Sequence, residues 1–192
     1  TDYAKLVTNY VERFASKLTC FDDIRPHLAA LHKTPDVPHQ PLTSETSITQ
    51  RINAEKIALF FEQGASADDL LQAYIESLEH VHEPSTEMQP GDDLALLAAY
   101  VTLAKSSSVE NLIQAAAIAS YACEKSARAY KLRLLLIRLL LRLGCLKLAV
   151  YHFDALELKA VQLDTMPHYL LDRNASFGGS HAADVGNHWE GG

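Results

Sequence analysis

The chain is predicted to be all-α, built from antiparallel helix pairs stacked as an α-solenoid, and three observations predict it. Apolar residues recur at three- and four-residue spacings in one stretch after another, which is the period of an amphipathic helix. Strand signals are absent: no alternating run of useful length occurs, and neither Asn-Gly nor Asp-Gly is found. The connections between the later stretches are short, so consecutive helices must run back along one another.

Taken in order, residues 3–18 place Leu6, Val7, Tyr10, Val11, Phe14 and Leu18 on one helical stripe, with Lys5, Glu12, Arg13 and Lys17 elsewhere on the surface. A short helical piece then holds Ile24, Leu28 and Leu31, with Pro26 tolerable only in its first turn. Residues 33–47 carry three prolines and no periodicity, and are expected to be a loop. A helix is predicted over 48–61, stopped by Gly64. Ser66 caps the next, with Asp68 and Asp69 favourable at its positive end. It is expected to run to about residue 82 with Leu70, Leu71, Tyr74, Ile75 and Leu78 inward, followed by a loop over about 83–91. A helix from about residue 92 is paired with one whose rival start signals are Ser108 and Asn111. Ala115, Ala116, Ala117 and Ala119 give that partner a small-residue face for close approach.

The sequence LRLLLIRLLLRLGCLKLAVYHFDALELKAVQLDT, residues 132–165, holds the last predicted pair, over 129–143 and 146–156 with Gly144 between them. Lipid is excluded first. A spanning helix needs about 20 apolar residues, whereas 132–143 is too short and is interrupted by Arg133, Arg138 and Arg142. At about 100° per residue, Lys131, Arg138 and Arg142 fall on one edge and the leucines fill most of the remaining circumference. Such a helix must contact neighbours on two sides, as inner helices of a stacked solenoid do. Arg133 falls near the middle of the apolar arc and is expected to escape to solvent at the first turn. The basic edge is either a solvated strip or a contact for an acidic partner or an RNA backbone. Gly144, Ala149 and Phe153 match the turn glycine, small residue and aromatic of a tetratricopeptide repeat. The spacing Ala117–Tyr121 recurs at Ala149–Phe153, close to one repeat period later.

Composition narrows the function classes. A net charge of −7 argues against whole-molecule affinity for nucleic acid or anionic lipid, leaving only a local basic patch. Cys20, Cys123 and Cys145 are odd in number and far apart, so neither a disulfide framework nor zinc is suggested. Nine histidines occur without His-Glu-x-x-His or zinc spacing, and His80 and His82 are expected to straddle a helix end. No Gly-x-Ser-x-Gly, Walker loop or dinucleotide fingerprint is present. The pairs Asp22–Asp23, Asp68–Asp69 and Asp92–Asp93 sit at helix starts, where capping explains them without catalysis. Residues 1–173 are thus expected to form a helical-repeat region, and 174–192, glycine-rich and bearing Trp189, a disordered tail. Thr1 is followed at once by helical pattern, and the chain is expected to be a piece of a longer protein.

Three stretches carry a resemblance. One is the leucine-rich helix ending in Leu143-Gly144, which leads to Leu156, Glu157, Leu158, Lys159, Gln162, Asp164 and Thr165. The second is YVERFASKLTCFDDIRPHL, with Phe14, Lys17, Cys20, Phe21 and Asp23, and the third is GDDLALLAAY from Gly91. In this order they resemble the auxiliary, non-catalytic subunit of the NatB N-terminal acetyltransferase complex, over roughly residues 10–173. The resemblance implies a cytoplasmic tetratricopeptide-type solenoid that wraps the small catalytic subunit and helps hold it at the ribosome. There the complex acetylates nascent chains beginning Met-Asp, Met-Glu, Met-Asn or Met-Gln. Catalysis and acetyl-CoA belong to the partner subunit, so this chain is expected to be no enzyme and to hold no cofactor or metal. It is also expected to have no membrane and no sequence-specific nucleic-acid contact. Its candidate partner-binding residues are Lys131, Arg138 and Arg142 on the basic edge, and Lys159, Gln162, Asp164 and Thr165 beyond it. The last four form either a specificity contact or a capped inter-helix turn. A helical-repeat adaptor unrelated to acetylation is the alternative that repeats alone would allow, and measurable acetyl transfer by the isolated chain would overturn both.

Overall fold

The computed structural model describes residues 2–29, 31, 35, 41–80, 89–106 and 108–156, and these are all-helical with no strand among them. The α-helices are α1 (Asp2–Phe14), α2 (Cys20–Leu28), α3 (Glu45–Phe60), α4 (Ala67–Ser77), α5 (Asp92–Lys105), α6 (Val109–Lys125), α7 (Tyr130–Arg142) and α8 (Leu146–Asp154). From α4 onward each helix packs on the next in chain order, and α5 and α7 also touch each other, an arrangement consistent with an α-solenoid. Helix α3 lies against α2 and α5, so it joins two apolar clusters. Its Ile48 and Ile52 belong with α4–α8, and its Ala54 and Ile57 with α1 and α2.

The first helix buries a narrower stripe than its spacing suggests. Val7 and Val11 are buried and Ala15 continues their line, whereas Leu6 and Leu18 are 64% and 77% exposed. Helix α1 packs on α2 alone among its larger contacts, and the chain leaves helical geometry after Phe14. Pro26 lies inside α2 rather than in its first turn. The carbonyl deprived of its donor there belongs to Asp22, an exposed residue that water can serve.

Helix α3 starts earlier than the apolar pattern does, because Ser44 and Ser47 form a reciprocal cap. The Ser47 N–H donates to Ser44 Oγ at 3.2 Å and the Ser44 N–H to Ser47 Oγ at 3.1 Å. The loop expected to reach residue 47 therefore ends at 44. At the other end the left-handed residue is Glu62, with φ 59°, not Gly64. The Glu62 N–H reaches the Leu59 carbonyl at 3.1 Å and that of Gln63 the Ala58 carbonyl at 2.9 Å, closing the helix in a Schellman motif.

Ser66 caps α4 as expected, reciprocally with Asp69. That helix ends at Ser77 and tightens into a 3-10 turn, Leu78–His80, short of the predicted residue 82. Ile75 is 42% exposed, so it does not face inward with Leu70 and Tyr74. His82 lies outside the described residues. Gly91 precedes α5 where a Cβ would stand 1.9 Å from Ser77 Oγ, so glycine is what allows α5 to start against the end of α4.

Between the rival starts of α6, Ser108 wins: its Oγ accepts the Asn111 N–H at 3.2 Å, while Asn111 Nδ2 reaches back to the Ser106 carbonyl at 3.1 Å. Ala115, Ala116 and Ala119 are buried together with Ala122, but Ala117 is exposed. The small-to-aromatic recurrence is therefore not repeated in burial. Ala149 and Phe153 face the core, whereas the inward small residue of α6 is Ala119, followed four residues later by Cys123. Gly144, at φ 78°, ends α7 in the same Schellman geometry as α3, with Cys145 N–H bonded to the Leu140 carbonyl at 2.8 Å.

Candidate functional site

Helix α7 sets up the site. Leu132, Leu136, Ile137, Leu139, Leu140 and Leu141 are buried, and Lys131, Arg138 and Arg142 are exposed along one edge, as the helical geometry requires. Lys131 is also tied to the scaffold. Its Nζ lies 3.3 Å from Asp93 Oδ1, and Lys56 Nζ lies 2.6 Å from Asp93 Oδ2. Lys56 on α3, Asp93 on α5 and Lys131 on α7 thus form an ionic ladder across three helices. With Thr49, Gln89 and Pro90 they line a cavity of about 450 Å³.

Burial alone would push the Asp93 carboxyl up, but the Lys56 hydrogen bond and charge, joined by Lys131, outweigh it and hold the carboxyl below its ordinary range. A depressed folded-state pKa means that Asp93 contributes stability above the usual carboxylate range. That contribution is lost as pH falls through its lowered pKa. The place of Asp92–Asp93 in the sequence suggests capping, but neither side chain caps α5. Asp92 accepts the N–H of Gln89, before the helix, at 3.1 Å, and both residues also bind other elements.

Asp92 is buried, and its Oδ2 also accepts the Ser126 hydroxyl at 2.7 Å, linking the start of α5 to the α6–α7 turn. Its Oδ1 has no hydrogen-bond partner among the described residues, and neither does the buried Tyr74 hydroxyl. Burial pushes the Asp92 carboxyl up, the Ser126 and Gln89 bonds pull it partly back, and the Asp93 charge adds to the rise. Burial and then the Asp92 charge push the Tyr74 hydroxyl up. Asp92→Asn keeps one acceptor oxygen for the Ser126 hydroxyl and the Gln89 N–H and removes the buried charge. We expect it to raise stability at neutral pH by about 1 kcal/mol, because the charged form is the one that burial disfavours. A raised folded-state pKa means that the wild-type penalty disappears as pH falls through it. The gain, measured by urea unfolding across pH, should therefore shrink on acidification.

Nothing among the described residues assembles into a catalytic centre. No group of three or more His, Cys, Asp or Glu side chains there could hold a metal ion, and no described helix is long and apolar enough to cross a membrane. Cys20, Cys123 and Cys145 are free, and burial pushes the Cys20 and Cys123 thiols up to about 11, away from thiolate reactivity.

Of the candidate residues, Lys131, Arg138 and Arg142 come together on α7, while Lys159, Gln162, Asp164 and Thr165 lie outside the described residues. Arg133 corrects the expectation set for it. It does not escape: it is 7% exposed, and its Nη2 donates to the Ala127 carbonyl at 3.3 Å. The apolar arc continues past it on both sides, and α6 and α8 close over it. Sequence reasoning also missed Lys56 and Asn53, both polar positions within a helix buried on two sides.

Comparison with known proteins follows this geometry. The model of the family described as N-acetyltransferase B complex (NatB) non catalytic subunit matches residues 2–188. The match continues past residue 174, beyond the span of the resemblance drawn from the sequence. The phagocyte signaling-impaired protein of Drosophila pseudoobscura pseudoobscura is 26% identical over 195 residues, covering 86% of this chain and 20% of that protein. The chain thus spans about one fifth of that relative's length. No solved structure matches it significantly.

Proposed function

The chain belongs to the family of NatB non-catalytic subunits, and from that premise we propose that it is a piece of the scaffold that holds the catalytic subunit of an N-terminal acetyltransferase. The family match across residues 2–188 carries this reading. The geometry supports it with a stack of helices whose buried polar side chains hold elements together. Acetyl-CoA and the reacting N-terminus, in this reading Met-Asp, Met-Glu, Met-Asn or Met-Gln of a nascent chain, are held by the partner.

The contact we assign to the catalytic subunit is the edge of α7. Lys131 is anchored by Asp93, which fixes the start of the strip, and Arg138 and Arg142 extend it about two and three turns onward. Guanidinium groups in a line suit an acidic surface, because each can bind a carboxylate through two parallel hydrogen bonds. The same strip is our candidate for helping to anchor the complex at the cytoplasmic ribosome through phosphate contacts, and Lys159, Gln162, Asp164 and Thr165 are our candidates for a specificity contact.

The test is affinity capture from cytosol with the full-length parent protein, wild type and Arg138→Glu/Arg142→Glu, with ribosomes monitored at two salt concentrations. We expect the wild type to recover a small acetyltransferase and the variant to bind it about tenfold or more weakly, since like charges are then brought together. Ribosome recovery should fall at the higher salt, as phosphate contacts require. Capture of no acetyltransferase would remove the scaffold reading. Undiminished capture by the variant would move the contact off α7.

A further inference from the structure

A second cavity, of about 560 Å³, opens on the opposite side of α7 from the basic edge, between α6 and α8. Arg133 forms its floor. The side chain is more than nine-tenths buried, and Nη2 is satisfied by the Ala127 carbonyl, but the buried Nε has no hydrogen-bond partner. Beside it His152 has an unpartnered buried Nδ1. A buried guanidinium without a carboxylate is costly, because the charge has lost water and gained no counter-ion. Both residues line the cavity and each carries a buried nitrogen without a partner, which leaves room for an acceptor at Arg133.

We propose that this cavity is a docking point for a partner protein and receives a single Asp or Glu side chain presented by an extended segment. Three observations select that occupant. Arg133, a buried guanidinium without a counter-ion, and His152 line the same cavity, each with an unpartnered nitrogen, and a carboxylate is the group that suits a guanidinium. Glu124 lines the same cavity, so a multiply charged group such as a phosphate meets repulsion that a single carboxylate better tolerates. Leu148 and Tyr151, 53% and 66% exposed, stand at the rim and offer apolar contact to residues flanking the acid. Burial, and then the Arg133 charge, hold His152 below its ordinary pKa, which favours the neutral ring, whose Nδ1 donates in the tautomer that carries the proton there. This inference stands apart from the acetyltransferase reading, which uses the other side of α7.

The test uses the full chain and two fluorescein-labelled peptides, Gly-Leu-Asp-Leu-Gly and Gly-Leu-Asn-Leu-Gly with blocked termini, followed by fluorescence polarisation. Saturable binding of the Asp peptide is expected, at least tenfold tighter than the Asn peptide, with the His152 pKa rising on saturation as read by NMR. Arg133→Met should abolish the preference for Asp. Because that variant changes a buried side chain, Leu148→Glu is the companion: it lies at the exposed rim, leaves the core intact, and should weaken the Asp peptide by repulsion. Equal binding of the two peptides, or a preference for Asp that survives both substitutions, overturns the proposal. So does binding that appears only after Glu157→Gln, which would make the chain itself the occupant. Loss of catalytic-subunit capture by the Arg138 and Arg142 reversals would leave this result unchanged.

Discussion

Replacing Asn53 by alanine is expected to lower stability by about 3 kcal/mol, because one side chain there does the work of a backbone segment. Asn53 is 1% exposed in the middle of α3. Its Nδ2 donates to the Ala15 and Lys17 carbonyls, each at 2.8 Å, and its Oδ1 accepts the Phe21 N–H at 3.3 Å. The turn between α1 and α2 thus has its polar groups satisfied from another helix, and this clasp joins the first two helices to the remainder. Alanine removes three hydrogen bonds at once and leaves the Ala15 carbonyl in a buried position. Lys17 retains the Cys20 N–H as a donor at 3.1 Å and is exposed, so part of the loss is recovered from solvent. Asn53→Asp should be worse than alanine at neutral pH, since an ionised carboxylate faces two carbonyl oxygens and cannot donate to either. Urea unfolding of the three proteins checks the order. A loss below about 1 kcal/mol for alanine would show that α1 and α2 dock through apolar burial alone.

The case of Asn53 shows which features were legible in the sequence. Helix class and most helix positions followed from apolar spacing, and the caps at Ser66 and Ser108 from local chemistry, because both signals sit within one or two turns of chain. The exact ends did not follow. Ser44 and Ser47 shift α3 by three residues through a reciprocal cap that periodicity does not register, and Glu62 adopts the conformation that Gly64 was expected to supply. Long-range polar pairs were invisible for a deeper reason. Lys56, Asp93 and Lys131 occupy three separate helices, and nothing in their local spacing says that their first or last turns coincide in space. Family-marking words turn out to sit where geometry is demanding. Gly91 admits no side chain against Ser77, Cys20 and Phe21 open α2 directly after the clasped turn, and Asp23 accepts the Tyr10 hydroxyl at 2.8 Å. They mark close approaches and turns, which explains how they can identify a family without forming a catalytic constellation among the described residues.

Helix α7 supports the other large prediction, a contrast between adjacent residues. Its buried positions cover an arc of roughly 200° at 100° per residue, about twice the stripe of a surface helix. Ile137 lies inside that arc at 0% exposure, and Arg138 is exposed on the edge beside it. Ile137→Ala should cost about 3–4 kcal/mol, combining lost transfer energy with a cavity that neighbours on two sides cannot both collapse to fill. Arg138→Ala should cost no more than about 0.5 kcal/mol, the usual range for a surface substitution. Partner capture should respond in the opposite order. At a temperature where both variants remain folded, Ile137→Ala leaves the basic edge in place and should bind normally, whereas loss of Arg138 should weaken binding. Equal stability losses would mean that α7 is packed on one side only. Equal binding losses would mean that the edge acts through the fold rather than through contact. The two measurements therefore separate what α7 does for the stack from what it offers to a partner, on residues that differ by one position in the chain.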